Sequence, residues 1–188
     1  MQIIAVVVGI LLALLINDWV MQRQQQSEVT EALHAIRAEL GANSAALREH
    51  ATGMFEMARE MQDAPQNRNQ PPRPCYLWNR WHGIGGLNLT DAAYQTAIAT
   101  QALANMPFAE AHEVAQVYGW QTYRQKGVES DAMLLMGQPQ SLTFCVGVIR
   151  EIGRGDLDLE KVYAPLIGPD KARLPGPPPV PSESPASR

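Results

Sequence analysis

A chain of 188 residues with 46% hydrophobic side chains is long enough for one modest domain with accessories and can bury a core. Only 6% of residues are aromatic and alanine is abundant, which suits closely packed helices. The net charge of −4 leaves no basic excess to neutralise phosphates, so nucleic acid is excluded as the expected partner.

The chain opens with an apolar run. Ile3 to Ile16 carries no polar side chain, and with Trp19 and Val20 the stretch reaches about 18 residues, the lower edge of what spans a bilayer. A cleaved signal needs a basic stretch before the run and a small-x-small cleavage site after it. Nothing basic precedes Ile3 and Asn17-Asp18-Trp19 is a poor cleavage site, so residues 1–20 are expected to be an uncleaved transmembrane anchor. A true start lying upstream would account for the missing basic stretch. Trp19 suits the boundary between hydrocarbon and headgroups. Ala5, Gly9, Ala13 and Asn17 recur every four residues and share one helix face, the pattern of a seam where two membrane helices approach closely.

Residues 21–62 form the second expected element, a long amphipathic helix. No proline interrupts the chain from Asp18 to Met61. Val29, Leu33, Ile36, Leu40, Asn43, Leu47, His50, Met54, Met57 and Met61 follow one another in a heptad-like row, on a helix of roughly 40 residues and about 60 Å. Glu31, Arg48, Glu49, Glu56, Arg59 and Glu60 are assigned to the opposite, solvated face. Such a seam either zips to a copy of itself or packs inside the same chain. Asn43 and His50 lie on it, and a polar group there fixes register at a cost in stability. His50 is read as a hydrogen-bonded packing residue, and the methionines as soft filling.

Residues 63–89 break the helical pattern, because Pro65, Pro71, Pro72 and Pro74 forbid a regular helix. The stretch holds Cys75 and then Trp78, Arg80, Trp81 and His82, followed by Gly83-Ile84-Gly85-Gly86. Trp78, Arg80, Trp81 and His82 form the candidate binding loop, since scaffolded loops carry function and Trp with Arg makes a stacking surface. The competing reading is a cap of aromatics over the end of a helical bundle. The glycines match neither GxGxxG nor a phosphate loop, and Cys75 with His82 does not match zinc spacing.

Residues 90–168 return to helical spacing. Thr90 is the expected N-cap of the next helix, with Asp91 in its first turn. Tyr94, Ala97, Ile98 and Ala102 form a short stripe. Ala111, Val114, Ala115, Tyr118 and Thr122 follow, and Gly127 is expected to interrupt that helix. Leu142 to Ile152 is read as a last helix, although its β-branched content also suits a strand. His112-Glu113 lacks the second histidine of a zincin, no GxSxG occurs, and Arg154-Gly155-Asp156 is read as a chance tripeptide. With no catalytic motif, an enzyme is not the favoured class, and neither a cofactor nor a metal is expected. Residues 169–188 are a Pro-rich tail expected to stay extended or disordered.

Asn17, Trp19, Leu33, Ile36, Arg37, Glu39, Leu40 and Asn43, with Leu89-Thr90-Asp91-Ala92-Ala93-Tyr94-Gln95-Thr96-Ala97 and Val117-Tyr118, resemble the pattern of a family of uncharacterised bacterial single-pass membrane proteins. The resemblance implies a membrane anchor and a helical domain and no known activity. Members usually begin with a short basic stretch, which this chain lacks.

The expected fold is all-α: a transmembrane helix continuing into a long helix that packs in an antiparallel bundle. Cys75 and Cys145 can form one disulfide in an oxidising compartment, or remain two buried thiols in a reducing one. The scarcity of lysine, the chance of that disulfide and the resemblance favour a bacterial inner-membrane protein with its C-terminal part in the periplasm. The expected partners are the lipid bilayer and a second copy or another membrane subunit. The favoured function is an interaction or scaffold protein; the alternative is a periplasmic ligand-binding or enzymatic domain using Trp78–His82.

Overall fold

A computed structural model describes residues 2–65 and 70–168, with side chains from residue 9 onward. The expected tail 169–188 and the side chain of Ala5 lie outside the described residues. The protein is mostly helical, and among the described residues there is no strand, only an isolated antiparallel bridge between Arg73 and Gln140. The helices are α1 (Gln2–Asp63), α2 (Ala92–Ala99), α3 (Ala102–Asn105), α4 (Phe108–Gly137) and α5 (Leu142–Ile167), with one 3-10 turn at Cys75–Leu77.

α1 is unbroken because its stretch contains no proline, and Gly41 and Gly53 alone do not stop it. Among the described residues no helix is long and apolar enough to cross a membrane. Ile10, Leu11, Leu12, Leu14, Leu15, Ile16, Trp19, Val20 and Met21 are all exposed.

The chain divides into two compact units, Met1–Glu39 with Asp91–Gln116 and Leu40–Thr90 with Val117–Arg188. In the first, Ile36, Ala97, Ala102, Met106 and Val114 are buried, and α2 packs on α3. The Glu39 carboxylate accepts a hydrogen bond from the Ala93 N–H at 2.9 Å, placing a negative charge at the first turn of α2. The N-cap is Asp91 rather than the expected Thr90.

The second unit is a three-helix bundle wrapped by an extended strap. From α1 toward its C-terminal end, Ser44 meets Glu160, His50 meets Asp156 and Gln62 meets Arg150, so α5 runs antiparallel to α1. Gln121 meets Tyr163 and Arg124 meets Asp156, so α5 also runs antiparallel to α4. It follows that α1 and α4 run parallel, which corrects the expectation of an antiparallel bundle throughout. The reason is the proline-rich connection after α1. It does not turn back as a helix but travels along the bundle as a strap, so the next bundle helix starts from the same end as α1.

The core is formed by the α1 seam, Leu40, Leu47, Met54, Met57 and Met61, with Val128, Leu135, Val146, Ile149 and Ile152. This part of the heptad-like row is therefore covered by its own chain. Gly153 is where α1 and α5 come close: a Cβ there would stand 3.0 Å from the Phe55 ring and 3.3 Å from the Ala51 carbonyl. Two further expectations are corrected. Gly127 does not interrupt α4, which runs through it. Arg48 is not on a solvated face, because Glu160 of α5 reaches across and pairs with it.

Candidate functional site: a strap held by three clasps

The strap covers residues 70–90 and is fastened at three levels. The lowest clasp is covalent and local. Cys75 and Cys145 are joined by a disulfide with a Cα–Cα distance of 5.7 Å, tying the strap to α5. Around it, Arg73 and Gln140 exchange two backbone hydrogen bonds of 3.1 and 2.8 Å. The Trp78 indole N–H donates to the Gln140 carbonyl at 3.3 Å, and the Arg73 guanidinium lies 4.1 Å over the Trp78 ring.

The candidate binding loop belongs to this clasp. Trp78 is buried, and Trp81 is partly buried against the same core. Arg80 is exposed in a left-handed conformation (φ 67°). The His82 imidazole is exposed 3.6 Å from Glu60, and its backbone N–H points to the Met57 sulfur at 3.4 Å. The structure thus brings Cys75 to Cys145 and both tryptophans to the bundle, but leaves Arg80 and His82 facing solvent.

The uppermost clasp is a neutral amide network. Asn43 donates to the Thr90 carbonyl at 2.8 Å and accepts from the Thr90 N–H at 3.1 Å. Gln121 donates to the same carbonyl at 3.0 Å, and its side-chain oxygen accepts from Asn43 at 3.1 Å and from the Tyr163 hydroxyl at 2.7 Å. Gln125 adds a bond to the Leu89 carbonyl at 3.1 Å. Asn43 and Gln121 are buried, so each of these polar groups needs the partners it has.

The middle clasp is ionic. His50 Nδ1 lies 2.6 Å from Asp156 Oδ2, and His50 Nε2 lies 2.7 Å from the Ile84 carbonyl oxygen of the strap. The other Asp156 oxygen accepts from Arg124 Nε at 2.9 Å, and Arg124 also donates to the Ile152 carbonyl. Asp156 is completely buried, and His50 and Arg124 are partly buried. Both imidazole nitrogens face acceptors, so satisfying both requires both to carry protons, which is the imidazolium form. The Asp156 hydrogen bond accordingly raises the His50 pKa above its ordinary 6.5, the Ile84 carbonyl adds to the rise, and burial opposes it. One buried carboxylate thus sits between two cations, a group whose charge is compensated on both sides.

Sequence reasoning flagged His50 and Asn43 through the seam but not Asp156, Arg124 or Gln121. Asp156 lies in the tripeptide read as a chance occurrence, and it sits mid-helix on the face shared with Ile149, Ile152, Leu159 and Tyr163. That register, four residues after Ile152 and seven before Tyr163, was the available signal.

Of the anchor residues, Gly9, Ala13 and Asn17 are exposed on α1. The Asn17 amide points to the Met21 sulfur at 3.6 Å, and the Arg23 guanidinium lies 4.9 Å over the Trp19 ring. Among the described residues no group of three or more His, Cys, Asp or Glu could hold a metal ion. Comparison with protein-family models, with curated proteins and with solved structures finds no match to this chain.

Proposed function

We propose that the protein is a membrane-anchored helical interaction or scaffold protein of the bacterial inner membrane. Its bundle stands on the periplasmic side, and its anchor helix associates with a second copy or another membrane subunit. The observation that carries this reading is the uncovered apolar face of α1. From Ile10 to Met21, nine large apolar side chains are exposed, and in the sequence they continue the run that begins at Ile3. A contiguous apolar surface of this kind needs lipid or another helix to cover it. Trp19 and Arg23 at its end suit a headgroup boundary. The resemblance to single-pass membrane proteins agrees with this placement, and a disulfide belongs in an oxidising compartment. Gly9, Ala13 and Asn17, with Ala5 continuing the row in the sequence, supply the association face.

The test has two parts. Membranes are washed with alkaline carbonate, and the protein is expected to stay in the pellet; release to the supernatant would remove the anchor from the reading. Intact and permeabilised cells are then treated with a membrane-impermeant thiol reagent, with and without prior reduction. Labelling of intact cells only after reduction is expected. Labelling only after permeabilisation, with no need of reductant, would place the bundle in the cytoplasm. Cross-linking that survives replacement of Gly9 and Ala13 by leucine would remove the proposed association face.

A further inference from the structure

The two ends of the strap are held by bonds that no change near neutral pH alters: a disulfide below and amides above. Its middle is held differently. Gly83 (φ +88°) and Gly85 (φ +64°) adopt backbone conformations that residues with a Cβ rarely take. These turns bury the Ile84 side chain while its carbonyl oxygen faces His50 Nε2 at 2.7 Å. Gly85, Gly86 and Leu87 also line an open cavity of about 400 Å³, with Gln125, Lys126, Val128, Glu129 and Ala132 of α4 among its other walls.

We propose that His50 is a proton-operated latch: the Ile84 carbonyl is hydrogen-bonded to the bundle only while both ring nitrogens carry protons, and loss of one proton loosens the strap at Ile84 and with it the Gly85–Leu87 wall of the cavity shared with α4.

The geometry decides which side lets go. If Nδ1 lost its proton, its lone pair would face the Asp156 carboxylate at 2.6 Å. If Nε2 loses it, the lone pair faces only the neutral Ile84 carbonyl. The proton therefore leaves Nε2. Neutral His50 keeps Nδ1–H on Asp156 and stays with the bundle, while the strap loses its hydrogen bond and gains a lone-pair repulsion in its place. The charged groups around the ring fit this assignment. Asp156 faces it from α5, and Arg124 from α4 is engaged by the other Asp156 oxygen. On α1 itself, Arg48 is held by Glu160. The strap's own His82 is turned toward Glu60. Asp156 thus holds His50 Nδ1 with one carboxylate oxygen and Arg124 with the other.

The sign follows from the raised His50 pKa. The strap is fastened at pH values below about 6.5 and is released as pH rises through the higher, folded-state value.

The test uses the full chain in detergent micelles, with ¹³C and ¹⁵N chemical shifts followed from pH 5 to 9. The His50 ring, separated from His34, His82 and His112 by assignment, is expected to titrate above 6.5. The Ile84 carbonyl and the Gly85 and Gly86 amides are expected to shift with the same midpoint, while Leu89 and Thr90 stay still. In His50→Gln these strap signals should no longer change with pH. A His50 ring titrating below 6.5, or an Ile84 carbonyl that ignores the His50 midpoint in the unmodified protein, would overturn the latch, and neither measurement depends on the variant folding.

Discussion

Asn43 and His50 stand seven residues apart on one face of one helix, and each reaches across to hold the same strap. Asn43 does so with an amide whose partners are the Thr90 backbone and the Gln121 side-chain amide. His50 does so with an ion whose partners are a carboxylate, itself shared with an arginine, and a backbone carbonyl. The amide clasp is indifferent to pH and costs less to desolvate than an ion. The ionic clasp is costly to desolvate, so it is stable only as a complete set, and it changes when a proton leaves. Two polar positions that look alike in a heptad therefore do different work: one fixes register and the other makes the hold conditional.

The sharpest way to break the comparison is Asp156→Ala. It leaves His50 and Arg124 buried without their anion and is expected to cost about 3–5 kcal/mol in urea unfolding. Replacing His50, Asp156 and Arg124 together by leucine should recover most of that loss; a triple variant as unstable as the single one would show that the ions are not the cause. Breaking the lower clasp with Cys75→Ser and Cys145→Ser is expected to cost about 2–5 kcal/mol, because a long loop of the unfolded chain is no longer closed. Reductant should lower the stability of the unmodified protein by the same amount and leave the double variant unchanged.

Within the middle clasp, His50→Gln is expected to lose about 1.5–3 kcal/mol at pH 5.5, the scale of a hydrogen bond to a charged group. The raised His50 pKa means that this contribution is complete below about 6.5 and disappears as pH rises through the folded value. The difference between the two proteins should therefore narrow as pH rises through that value. Asn43→Leu is expected to cost about 1–3 kcal/mol, since it strips partners from Thr90 and Gln121. That loss should be equal at pH 5.5 and pH 9, and a pH-dependent loss would erase the distinction between the clasps. The smallest effect is at Asp131, whose pKa is raised by burial and only partly restored by Arg124. A raised carboxylate destabilises the fold once ionised, so Asp131→Asn should stabilise at pH 7 by up to about 0.5 kcal/mol and have no effect at pH 3.

Much of the bundle is legible from periodicity. Leu40, Leu47, Met54, Met57 and Met61 recur at helical spacing, and they are buried in the core. The prolines before Cys75 marked the end of α1 correctly, since Pro has no N–H to give a helix. Periodicity did less well with charge. Arg48 looked solvated because its neighbours Glu49 and Glu56 are, yet one residue's rotation about a helix brings it to Glu160. Asp156 was passed over because its tripeptide is read as a chance occurrence, while its register points inward. The candidate loop was recognised as a special place for a sound reason, its aromatics and glycines. Its tryptophans, however, pack on the bundle, and the strap atom that contacts the ionic cluster is a backbone carbonyl two residues beyond His82. A backbone carbonyl carries no sequence signature.

By itself, the sequence determined that this chain is helical, where its longest helix ends, which face of that helix is apolar, and that a proline-rich segment separates the two helical halves. These are local properties, set by backbone sterics and by the repeat of side chains along a helix. Only the tertiary structure decided that α4 runs parallel to α1, that Cys75 meets Cys145, and that His50, Asp156 and Arg124 converge beneath a glycine-bearing strap. Those depend on which surfaces cover one another. Residues 106 positions apart, such as His50 and Asp156, are brought together by the path of the strap and the packing of three helices, which no local pattern specifies.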